Sequence, residues 1–140
     1  MMQIIVGAVV CVCTIVIHAL VMSWVVKVAE AAEKRAESLP MLRLGVVMSA
    51  TVLVLMAAHT LEVLVWALAY RIFGVAPADA DLVYFAFVNF ATLGYGDIVP
   101  VEGWRLLGPI TAMNGALLFG WSTAVIFEVL RNAMHRNPMN

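Results

Sequence analysis

The 140-residue chain is 64% apolar and 12% charged, with a mean hydropathy of +1.00, where ordinary soluble domains carry about 45–50% apolar and about 25% charged residues. That balance excludes a soluble enzyme and points to an all-helical protein integral to the membrane. A net charge of −1 and the lack of a long basic tract exclude nucleic acid as a partner held by bulk attraction. Cys11 and Cys13, two apart in an apolar run, build neither a disulfide framework nor a four-ligand zinc site and read as core or lipid-facing side chains.

Residues 2–26 contain no charged side chain, and a spanning helix needs about 20 apolar residues. No positive residue precedes them and the stretch exceeds a signal-peptide core, so residues 1–27 read as a first transmembrane helix. Residues 28–43 turn polar; their Ala, Glu, Lys and Arg content predicts a helical linker that Pro40 stops. A second span runs from about Leu44 to Ile72, broken by Gly74 and Pro77 ahead of a loop holding Asp79 and Asp81. The apolar stretch Leu82 to Thr92 covers only about three helical turns. It is too short to cross a bilayer and has the length of a re-entrant segment, which must lie inside protein; Asp79 or Asp81 is its expected N-cap. A third span runs from about Gly103 to Leu130, leaving a short tail at 132–140. Lys27, Lys34, Arg35 and Arg43 in the linker, with Arg131 and Arg136 in the tail, outweigh Arg71 and Arg105 on the other side. Linker and C-terminus are therefore expected in the cytosol and the N-terminus outside.

Directly after the short segment come Thr92, Leu93, Gly94, Tyr95, Gly96 and Asp97. This stretch, behind a short buried-type helix and between two spans, resembles the selectivity filter of the tetrameric potassium channel pore-domain family, over residues 44–131. The resemblance implies a homotetramer with one central filter, in which the carbonyls of Thr92, Leu93, Gly94 and Tyr95 replace the water around a potassium ion. Such carbonyls share an axis only if backbone handedness alternates, which Gly94 and Gly96 permit without a Cβ clash. The Thr92 hydroxyl would add the innermost ring, Tyr95 would brace the filter, and Asp97 at the outer mouth would accept a hydrogen bond from Tyr84. Leu93 stands where the family more usually has valine. Val88, four before Thr92, is not acidic, so no carboxylate lies behind the filter at that position. The dipole of the short helix would favour a cation in a central cavity. The third span would line the pore: Gly115 and Gly120 are hinge or close-packing positions, and helical spacing puts Ala116, Phe119, Thr123 and Phe127 on the pore face, with Glu128 at its inner mouth. Pro109 belongs near the start of this helix or at a bend in it.

Polar groups inside a membrane are costly and tend to mark function. His59 and Glu62, three apart, share one face of the second span roughly 15 Å from its outer end. They read as a structural pair with Asn89 as a partner, or as a proton-sensitive group coupling pH to the filter. His18 reads as an interfacial histidine. The first span, without an arginine series, is no voltage sensor and reads as an added peripheral helix. The expected function is passive potassium conduction across the cell membrane, without catalysis and with no cofactor beyond bound potassium ions. The alternatives are a non-conducting pore-like partner or assembly protein and a weakly selective cation channel, with a metal or haem protein using His18 and His59 as a more distant reading.

Overall fold

The computed structural model describes residues 1–35 and 40–135, with side chains described for 1–28 and 44–134. The described residues form four helices and no strand: α1 (Met2–Arg35), α2 (Pro40–Phe73), α3 (Leu82–Phe90) and α4 (Leu107–His135). Three stretches are long and apolar enough to cross a membrane, Met2–Val28, Leu44–Phe73 and Leu107–Met134. In hydrocarbon every backbone N–H and C=O must bond within its own segment, which is why apolar runs of this length are helical.

Helix α1 continues through Arg35, beyond its apolar run, in line with the helical linker expected from the composition after Val26. Two boundaries differ from the sequence reading. Pro40, expected to stop the linker helix, is the first residue of α2; its missing N–H and fixed φ suit that position, where the N–H has no partner anyway. Residues 36–39 and 136–140, parts of the expected linker and tail, lie outside the described residues. The third span starts at Leu107 rather than Gly103, because Gly103 takes a left-handed φ of 93° in the turn before it, and Pro109 falls in the first turn of α4.

Helices α1 and α4 run side by side in the same direction. Gln3 Oε1 accepts the Leu106 N–H at 3.0 Å, Thr14 Oγ1 lies 2.9 Å from Asn114 Oδ1, and Ser122 Oγ lies 3.4 Å from His18 Nε2. Gly7 lets α1 come close to α4, since a Cβ there would meet Ile110 and Leu107, the role small residues play between membrane helices. Helix α2 runs opposite to both. Its Trp66 Nε1 donates to Asn114 Oδ1 at 2.9 Å, and its Tyr70 Oη lies 2.7 Å from Thr111 Oγ1. One apolar core joins Val6 and Val10 of α1, Val63, Trp66 and Tyr70 of α2, Phe85 and Phe90 of α3 and Leu118 of α4. Helix α1 is therefore part of the packed body rather than a peripheral addition.

Candidate functional site

The short helix α3 starts where Asp81 Oδ1 accepts the N–H groups of Val83 at 3.0 Å and Tyr84 at 3.1 Å. Of the two aspartates considered, Asp81 is the cap; its short acceptor satisfies donors that have no partner in the first turn. At the other end Thr92 N–H reaches Asn89 O at 3.0 Å and Leu93 N–H reaches Val88 O at 2.9 Å. This paired pattern is a Schellman cap, which needs a left-handed residue, usually glycine, at the position Thr92 fills. Thr92 has φ 59°, uncommon for a β-branched residue. Gly94 follows with φ 59° and Gly96 with φ 78°. From 92 to 96 every second residue is left-handed, so the alternation begins one step earlier than the glycines mark it.

Leu93 and Tyr95 turn their side chains away from their own chain, 53% and 65% exposed. Beyond them Tyr84 Oη donates to Asp97 Oδ2 at 2.7 Å, so the pair expected from the sequence is in contact. The donated hydrogen bond holds the Asp97 carboxyl below its usual range, and the same bond pushes the Tyr84 hydroxyl up. The segment that follows the loop is tied to the turn after α2, with Val101 N–H on Val75 O at 2.8 Å.

Behind this loop runs a directed chain of hydrogen bonds. Asn89 Nδ2 donates to Tyr70 Oη at 3.4 Å, and Thr111 Oγ1 donates to Leu107 O at 2.8 Å, leaving the Tyr70 hydroxyl to donate to Thr111. Val88 is buried and offers no carboxylate. Gly115 sits where a Cβ would overlap the Phe90 carbonyl oxygen, so α4 meets the end of α3 backbone to backbone; Gly120 has open space around it. Ala116, Phe119, Thr123 and Phe127 are all exposed on the single chain, whereas Leu118, Ser122, Val125 and Val129 on the other face of α4 are buried. Glu128, toward the far end, pairs with Arg131.

The intramembrane pair has different partners from those expected. Glu62 is fully buried; its Oε2 lies 2.8 Å from His59 Nδ1 and its Oε1 2.8 Å from His18 Nδ1. Asn89 is engaged with Tyr70 instead. His18 is not interfacial: it is fully buried, stacked at 5.3 Å on His59. Ser122 completes the group, with its Oγ 2.9 Å from His59 Nε2 and 3.4 Å from His18 Nε2. Sequence reasoning missed Thr14, Asn114 and Ser122 as well. Their spacing held the signal: Thr14 and His18 are four apart on α1, and Asn114 and Ser122 eight apart on α4, each pair on one helix face.

Three membrane-length helices around a short capped helix and a loop of alternating handedness define a multi-pass membrane protein with a re-entrant segment. The chain belongs to the ion channel family, whose sequence profile matches residues 58–132, just over half of it. The match covers the second half of α2, α3, the loop and most of α4, and leaves out α1. No curated protein and no solved structure matches the chain.

Proposed function

We propose that the chain is one subunit of a potassium-selective channel, in which four copies place residues 92–96 around a common axis. The observation that carries this reading is the left-handed backbone at Thr92, Gly94 and Gly96 directly after the capped helix α3. Carbonyls ordered by that alternation can take the place of the water shell around a potassium ion. The exposed side chains of Leu93 and Tyr95 would then be covered by neighbouring copies. The pore domain spans residues 44–131, preceded by the transmembrane helix 1–27 and the linker 28–43 and followed by the cytosolic tail 132–140. The filter faces outside and both linker and tail face the cytosol. Conduction is passive and without catalysis; Gly115 and Gly120 are the hinge positions, Ala116, Phe119, Thr123 and Phe127 line the cavity, and Glu128 stands at its inner mouth.

The test is cation flux from proteoliposomes of purified protein, with a Gly94→Ala variant as control. Potassium-selective flux that barium blocks and the variant loses is expected. Equal sodium flux would replace the reading by a weakly selective cation channel, and no flux at any pH or voltage would replace it by a non-conducting pore-like partner.

A further inference from the structure

We propose that His18, Glu62, His59 and Ser122 form a binding site for a single proton, and that this proton fastens α1 to the body of the family-matched region. Three of the four residues lie within residues 58–132, whereas His18 comes from α1, outside that match. The reading extends the His59–Glu62 pair seen in the sequence and rests on neither conduction nor ion selectivity.

Four contacts call for four hydrogens. The four side chains make a closed ring of four contacts: His18 Nδ1 to Glu62 Oε1 and His59 Nδ1 to Glu62 Oε2, each 2.8 Å, then His59 Nε2 to Ser122 Oγ at 2.9 Å and Ser122 Oγ to His18 Nε2 at 3.4 Å. Each contact needs one hydrogen. An ionised carboxylate supplies none, two neutral imidazoles supply one each, and the hydroxyl supplies one, so three are available for four contacts. The fourth is a bound proton. It rests on a ring nitrogen, imidazole being the more basic group by about two pK units in free side chains. With it the cluster is one carboxylate, one imidazolium and one neutral imidazole, electrically neutral overall. Without it, a buried acceptor stays unpaired and a net negative charge sits about 16 Å below the end of α2, costly inside a bilayer. A second extra proton would leave a net positive charge and two hydrogens in one contact.

The surroundings contribute no competing charge among the described residues. Helix α3 presents Phe90 to His59, and α4 presents Phe119 to His59 and Trp121 to His18. Along α2, Tyr70 is occupied by Thr111, and Glu128 on α4 by Arg131. Every ring nitrogen already faces a protein partner at hydrogen-bond distance, which leaves no lone pair directed at a shared metal ion. Of the three titratable members only His59 has any side-chain exposure on the single chain, 15% where Glu62 and His18 have none.

The site has an isosteric variant that separates proton from packing. In Glu62→Gln the amide supplies the missing hydrogen, so the ring closes with two neutral histidines and no bound proton. The experiment is ¹⁵N-histidine NMR of the full chain in lipid bilayers, in a His135→Gln background so that only His18 and His59 report. At neutral pH three of the four ring nitrogens are expected to carry hydrogen, falling to two in Glu62→Gln. The thermal midpoint of the parent should vary with pH more than that of the variant, whose ring holds no bound proton. Two protonated nitrogens in the parent, three in the variant, a metal-shifted resonance, or a flat parent profile would each overturn the proposal.

Discussion

Asp97 and Tyr84 show how one contact at the mouth of the loop sets a pH response. The carboxyl titrates below its ordinary range because Tyr84 donates to its ionised form. A depressed carboxylate gives stability that is present above the unfolded value, about 3.9, and is lost as pH falls through the lower, folded value. Tyr84→Phe should therefore raise the Asp97 value toward the ordinary one, so that the mouth loses order at a higher pH; a carboxyl titration by ¹³C NMR checks this, and an unmoved titration would count against the contact. The glycines of α4 give a second contrast. Gly115→Ala drives a methyl into the Phe90 carbonyl, at a cost of at least 1–3 kcal/mol by the usual scale of overpacking, whereas Gly120→Ala meets nothing within the chain. Thermal midpoints of the two variants in nanodiscs should separate clearly, with Gly115→Ala the lower.

Among the helices, polar side chains rather than apolar stripes decide which faces meet. Lengths and breaks were legible because hydrophobic runs, Gly74, Pro77 and Asp81 mark them in the chain. The pairing of faces was not, because lipid and protein interior are equally apolar and a membrane helix needs no distinct greasy side. The Thr92 conformation was hidden for another reason: Gly94 and Gly96 advertise left-handed backbone, but the cap of α3 demands it at Thr92 through contacts to Val88 and Asn89. His18 could not be assigned to Glu62 from local spacing, since 44 residues separate them. Asn114 is the central fastening, its one oxygen facing the indole N–H of Trp66 and the hydroxyl of Thr14. Asn114→Leu leaves the indole donor buried and unpaired and should cost about 1–3 kcal/mol, read as a drop in thermal midpoint and faster exchange of the Trp66 indole proton.

For the whole molecule, the family-matched region is incomplete without α1. Val6 and Val10 fill the same core as Trp66, Leu118 and Phe90, and the Glu62 ring is open without His18. A chain lacking residues 1–35 should unfold at a lower temperature than Asn114→Leu, since it loses both apolar cover and the polar contacts of Gln3, Thr14 and His18; a midpoint equal to the parent's would show that α1 is dispensable to the body. The parallel course of α1 and α4 has a mechanical side. Its two inner polar fastenings fall at Asn114 and Ser122, one on each side of Gly115 and Gly120. Helix α1 thus lies across both glycines as a splint lies across a joint: α4 bends there only if α1 bends with it, or if one of the two ties comes undone.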